Sequence, residues 1–208
     1  RIWEMNIDWR HWPRSNRCTD IYLPPQVAAD FATRMGLQEN FNYLQHIGAV
    51  QLHTLAEGET VQLGDYTVTP FPVAEAYVYA FLLEGDGRRL LIAPDELVGW
   101  QPPDSVRGVD LAVVPMGIGE FDVWTGERII PLDHPVLKTE ATFRQTLAML
   151  KQMQPKQAIM THIEEPDNLS YDDLLRLEDK LQAEGYPVRF AYDTMLVEVG
   201  DLRLETGR

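Results

Sequence analysis

Two short apolar runs in this chain each end on a side chain able to bind a metal. Leu90-Leu91-Ile92-Ala93-Pro94 leads into Asp95, and Ala158-Ile159-Met160-Thr161 leads into His162. Runs this short, uncharged and aliphatic read as strands buried on both faces, with the polar residue emerging where the strand leaves the sheet. Open sheets covered by helices take their ligands beyond the carboxyl ends of their strands. If both runs join one sheet, Asp95 and His162 face the same cleft. A carboxylate and an imidazole together suit Zn, Mn or Fe better than Ca, which prefers oxygen donors alone.

Each candidate also has a plainer role. Asp95 lies in Pro94-Asp95-Glu96-Leu97, where an aspartate serves equally well as the cap of a helical turn. A lone histidine is usually a hydrogen-bonded structural residue, so His162 gains weight from its pairing with Asp95 and from the acidic loop after it, Glu164-Glu165-Pro166-Asp167-Asn168. His134, in Pro131-Leu132-Asp133-His134-Pro135, is either a surface-loop histidine or a proton donor beside the metal. Glu75 is either a carboxylate ligand or a solvated turn residue. His53 reads as structural, and His11 and His46 have no supporting context. Trp3, Trp9 and Trp12 crowd the first residues and read as packing more readily than as an aromatic wall for a substrate.

The elements that must position these groups follow from periodicity. A strand over 20–23 precedes a helix over 25–35, in which Val27, Phe31 and Met35 recur at helical spacing and proline fits the first turn. Strands over 50–55, 61–63, 66–73 and 77–83 come next, and Asp86-Gly87 turns the last into 89–93. The second half then alternates. A strand over 111–115 leads to a helix over 139–153 faced by Phe143, Leu147 and Leu150, and 157–161 is the strand that delivers His162. Ser170 with Asp173 opens a helix over 171–184 as a capping box, and strands over 188–192 and 195–199 close the chain. A meander followed by strand, helix, strand, helix, strand implies an α/β (α+β) fold with a mixed sheet or pair of sheets and helices outside.

Composition narrows the function classes. A chain of 208 residues holds one sizeable core, so a single domain over 1–208 is expected. Apolar runs are far shorter than a membrane span and no secretory pattern opens the chain, which makes the expected location cytoplasmic. The single cysteine, Cys18, can neither form an internal disulfide nor build a thiolate zinc site, so a metal must be held by His, Asp and Glu. Eighteen basic residues against 32 acidic ones leave a formal charge of -14, which repels polyanions and disfavours nucleic acid.

In that order these segments resemble the C-terminal two-thirds of a metallo-β-lactamase-superfamily hydrolase, and most resemble the branch of the phosphodiesterase that accompanies carbon–phosphorus lyase. The segment 63–73 is similar to the strand that runs into a metal-binding histidine, and 90–95 to the strand ending in the metal-bridging aspartate. Residues 131–147 resemble the loop and helix that carry an active-site histidine, 158–163 the strand bearing the last histidine ligand, and Phe190-Ala191-Tyr192-Asp193-Thr194-Met195 the closing turn.

The resemblance implies a metallo-β-lactamase-like αββα sandwich with two divalent ions, Zn or Mn, about 3.5–4 Å apart at one edge. It casts Asp95 as the bridging ligand, His162 as a ligand of one ion, and His134 as the group that protonates or hydrogen-bonds the leaving oxygen. Glu75 stands where the family has histidine and would ligate in its place, favouring a harder ion such as Mn. Glu165 stands where relatives often carry a second histidine. The motif His-x-His-x-Asp-His is missing, so the expectation is a chain lacking its N-terminal strands and first metal motif, and inactive by itself. The implied activity is hydrolysis of a small or cyclic phosphodiester, with room for a homodimer. The alternatives are a non-catalytic binding protein on the same fold and a relative of the tRNA 3′-processing endonucleases.

Overall fold

Thr-Asp-Ile-Tyr-Leu and Val-Gln-Leu-His-Thr form strands β1 (Thr19–Leu23) and β2 (Val50–Thr54) in the computed structural model. It describes residues 18–34, 36–73, 78–93, 95–163 and 167–199. The chain gathers into two units, Arg1–Glu59 and Thr60–Arg208.

In the first unit β1 and β2 pair in parallel, which requires a crossover. Helices α1 (Pro25–Thr33) and α2 (Gln38–His46) supply it. Pro25 opens α1, where a missing N–H is harmless. The expected helix to residue 35 ends at Thr33, and Met35 lies outside the described residues. Helix α2 has no counterpart in the reading above, because its mostly polar sequence masks Leu37, Phe41 and Leu44 at helical spacing. Those residues are what hold it: the rings of Phe31 and Phe41 stack at 4.5 Å between centroids, and Leu37 and Leu44 pack against them. His53 is structural, as its mid-strand position suggests. Its Nε2 lies 2.6 Å from Asp20 Oδ1, and its ring stacks on Tyr22.

The second unit is one sheet in the order β3-β4-β5-β6-β7-β8-β9. Strands β3 (Val61–Leu63), β4 (Tyr66–Pro72), β5 (Tyr79–Gly85) and β6 (Arg88–Ile92) form an antiparallel meander. Asp86 and Gly87 turn β5 into β6 with both residues at positive φ, the geometry of a two-residue hairpin. From β6 onward the pairing is parallel, through β7 (Leu111–Pro115), β8 (Ala158–Thr161) and β9 (Val188–Phe190). Helices α3 (Phe143–Met153) and α4 (Tyr171–Ala183) make the last two crossovers. The carboxyl ends of β6, β7 and β8 therefore share one edge.

The core lies on the parallel half. Ala112, Val114, Ala158 and Met160 are fully enclosed, and Leu150 and Met153 of α3 and Leu177 and Leu181 of α4 pack with them. Strand β8 is buried on both faces, as expected. Strand β6 is not: Leu91 is fully buried while Leu90 and Ile92 stay partly exposed, because β6 joins the two halves of the sheet and its second face is only half covered. At the amino end of β7, Asp110 accepts the Arg89 amide at 2.8 Å and the Lys156 ammonium at 2.6 Å. This clamp holds β6, β7 and the approach to β8 together opposite the shared edge.

Two expected elements change. The helix expected over 139–153 begins at Phe143, because Ala141 and Thr142 are drawn out to bridge Ile118. Thr142 then caps α3, its hydroxyl accepting the Gln145 amide while Gln145 accepts the Thr142 amide, and Pro135–Lys138 forms a separate single 3₁₀ turn. The strand expected over 195–199 does not form. Thr194 adopts φ of 67°, Met195 donates to the Tyr192 carbonyl, and the segment leaves the sheet in a turn.

Candidate metal-binding site at the carboxyl edge

The edge shared by β6 and β8 brings the two principal candidates together. Asp95 follows β6, His162 follows β8, and β7 lies between them. His162 Nε2 is 3.7 Å from Asp95 Oδ1, with 42% and 47% of the two side chains exposed. That is a solvent-accessible oxygen and nitrogen within reach of one small cation. Asp95 Oδ1 also accepts the Glu96 amide at 2.9 Å, and among the described residues no helical turn begins at Asp95 for it to cap.

The backbone at this edge is unusual. His162 has φ of 53°, Glu96 35° and Asn168 49°, all in the left-handed region that side chains other than glycine rarely adopt. Strain of this kind persists where the surroundings enforce it, and it gathers at functional sites. The loop after β7 packs closely at the same edge. Gly117 has φ of 82°, and a Cβ there would lie 2.7 Å from the Ala141 carbonyl oxygen, so the loop runs tightly against the segment leading into α3. Asp167 Oδ1 accepts the Gly119 amide at 3.0 Å and ties the loop after β8 to the loop after β7.

Three acidic residues not singled out by the sequence line the narrow cleft beside His162: Glu96, Glu140 and Asp167. Glu96 adjoins Asp95, and Asp167 belongs to the acidic loop, so both carried a local signal. Glu140 reaches the cleft only because the bridge from Ile118 to Thr142 draws its segment across the edge, which no local pattern announces.

His134 takes a different place. It opens the 3₁₀ turn Pro135–Lys138, where its Nδ1 accepts the Val136 amide at 3.3 Å. Its ring is exposed, and among the described residues no hydrogen bond or ion pair joins it to Asp95 or His162. Glu75, Glu165 and the tryptophans Trp3, Trp9 and Trp12 lie outside the described residues.

The donor set fits an ion of the Zn, Mn or Fe class in type, since it combines a carboxylate oxygen with an imidazole nitrogen. It fits only in part in number. Among the described residues no group of three or more His, Cys, Asp or Glu side chains is placed to hold an ion. Asp95 and His162 would supply two donors to such an ion, which would need others besides.

The family model described as a beta-lactamase superfamily domain matches residues 8–163. No curated protein matches the chain. Among solved structures the chain is similar to the metallo-beta-lactamase fold protein YhfI from Bacillus subtilis, at 14% identity and a TM-score of 0.52, covering 85% of this chain and 63% of that one. It is similar to Zn(2+)-bound PqqB from Methylobacterium extorquens, at 16% identity and 0.53, covering 92% and 63%. It is similar also to a diphosphatase from the PhnP family, at 19% identity and 0.53, covering 86% and 57%. These are likenesses of fold, and the chain spans less than two thirds of the length of each of the three.

Proposed function

Because this chain belongs to the beta-lactamase superfamily and shares the metallo-β-lactamase fold, we propose that it is a metal-dependent hydrolase acting on a small phosphodiester. The observation that carries the reading is the approach of Asp95 Oδ1 and His162 Nε2 to 3.7 Å at the carboxyl edge of a parallel sheet. In this reading Asp95 and His162 are protein ligands of the ion pair, and Glu75 is a further carboxylate donor. Two divalent ions, Zn or Mn, complete the site with donors from outside the described residues. When bound, such ions neutralise charge on a phosphoryl oxygen and acidify a water.

The chain's own residues supply the rest. The clasp between Asp167 and Gly119 and the tight passage of Gly117 past Ala141 hold the cleft walls in place before a substrate arrives. His134 sits on a loop of its own and is proposed to give a proton to the departing alkoxide.

Two observations favour a small ester of phosphorus. The formal charge of -14 repels a polyanion such as RNA. A diphosphatase stands among the proteins of like fold.

The test is hydrolysis of bis(4-nitrophenyl) phosphate by the full-length protein after loading with Zn or Mn, together with bound metal measured by atomic emission. Asp95→Ala is expected to abolish turnover and to lower the bound metal. Unchanged turnover in that variant refutes the assignment.

A further inference from the structure

A second space opens beside the cleft that holds His162, with a volume of about 340 Å³. Its walls come from the loops leaving β7 and β8 and from the first turn of α4, with Met116, Trp124, Ile129 and Leu169 as apolar lining and Asp122, Asp167 and Asp173 as acidic lining. Asp167 lines this cavity and the cleft that holds His162, so the two spaces are neighbours across one carboxylate. A Cβ at Gly119 would come within 3.2 Å of Asp167 Oδ1, so the partition leaves little room for a side chain there. A substrate reacting at Asp95 and His162 that extended past Asp167 would enter this cavity.

The lining has a definite chemical bias. Trp124 and Ile129 are 40% and 49% exposed although both face a cavity, so an apolar body placed there would recover contact that the fold leaves open. Among the described lining residues there are three carboxylates and no lysine or arginine. Three guanidinium groups outside the lining offset part of this charge: Arg176, 3.5 Å from Asp173 and 4.4 Å from the centre of the Trp124 ring, and Arg128 and Arg144, 4.2 and 3.5 Å from the centre of the ring of Phe121, which also lines the cavity. Lys180 stands behind the wall and donates to the Val123 carbonyl at 3.4 Å. The backbone amides of Thr125 and Trp124 hold the Asp122 carboxyl below the usual range, and the Ser170 hydroxyl and amide do the same for Asp173. Both stay ionised at neutral pH. Such walls repel a second phosphate or a carboxylate and attract an organic cation.

We propose, on the basis of the hydrolase reading above, that this cavity is the subsite for the alcohol portion of the substrate and selects alcohols that carry an organic ammonium group on an apolar body. Nucleotides and other alcohols bearing extra negative charge are excluded by the same lining.

The experiment measures binding and turnover separately on the full-length protein. Calorimetric titration compares choline, its uncharged isostere 3,3-dimethyl-1-butanol and the anion 3,3-dimethylbutanoate. Choline is expected to bind about tenfold more tightly than the isostere, and the anion not to bind measurably. Asp122→Asn keeps an oxygen for the Trp124 and Thr125 amides while removing the charge, and is expected to cut that preference several-fold; Asp173→Asn provides a second reading of the same effect. Equal affinity for choline and the isostere, or binding of the anion, overturns the proposal. The 4-nitrophenyl phosphodiesters of choline and of the isostere are then compared with metal present. Selective binding with neither ester hydrolysed preserves the cavity assignment and removes the hydrolase reading. Both esters hydrolysed with equal kcat/KM preserves the hydrolase and removes the subsite.

Discussion

Asp95 Oδ1 and His162 Nε2 face each other at 3.7 Å across the carboxyl edge, one carried by β6 and the other by β8 with β7 between them. Two donors this close that share an ion lose it together. Asp95→Asn and His162→Ala are each expected to lower metal affinity by at least about tenfold, and the double variant to be little worse than the weaker single one, because groups acting as a unit are not additive. Metal titration of the four proteins is the check. Losses that simply add on a logarithmic scale would mean that the two residues serve different ions, and no loss in either single variant that they serve none.

The backbone of His162 carries its own prediction. At φ of 53° a residue with a Cβ is strained by roughly 1–2 kcal/mol, and glycine is not. His162→Gly and His162→Ala both remove the imidazole, yet the glycine variant is expected to be more stable than the alanine variant by about 1 kcal/mol after its larger chain entropy is set against the relief. Urea unfolding of the metal-free proteins measures the difference. An alanine variant as stable as the glycine variant would show that residue 162 is not held in this conformation in solution.

His134 can be tested apart from its cap. Its Nδ1 accepts the Val136 amide at 3.3 Å, a task an asparagine oxygen performs as well. If His134 donates a proton, His134→Asn and His134→Ala lose turnover alike, by about 100-fold on esters of simple alkyl alcohols and much less on 4-nitrophenyl esters, whose leaving group needs little help. If it only caps the turn, the asparagine variant keeps full activity on both substrates.

The strands of the second unit were legible because each short apolar run is bounded by its own turn, and Asp95 and His162 were legible because both stand where such runs end. Their meeting depends on β6, β7 and β8 being parallel neighbours, which the alternation of strand and helix implies. The rest was hidden for physical reasons. Glu140 reaches the cleft through the bridge between Ile118 and Thr142, a contact between segments far apart in the chain. The same bridge delays α3 to Phe143, where the spacing of Phe143, Leu147 and Leu150 predicts a helix from residue 139. Helix α2 escaped notice because its two flanking turns and polar composition resemble a loop until Phe41 is seen stacked on Phe31. The left-handed backbone of His162 left no trace in a sequence where nothing but a glycine would have advertised it.

The clamp at the opposite end of the sheet sets a pH dependence that can be isolated. The Lys156 ammonium, then the Arg89 amide, lower the Asp110 carboxyl below its ordinary range. A carboxyl depressed in the folded state contributes stability that is fully present above its unfolded value of about 3.9 and is lost as pH falls through the folded value. The Asp110→Asn variant lacks this contribution at every pH, and all other acid-titrating groups are common to both proteins. The stability gap between wild type and variant is therefore expected to be constant near neutrality and to close as pH falls below about 4. Lys156 is 71% exposed, so solvent screens the pair and the gap should not exceed about 1 kcal/mol. Denaturant midpoints measured across that range decide the matter: a gap that widens toward acid would mean that Asp110 is stabilised in its protonated form and that the bond to Lys156 is not what holds the clamp.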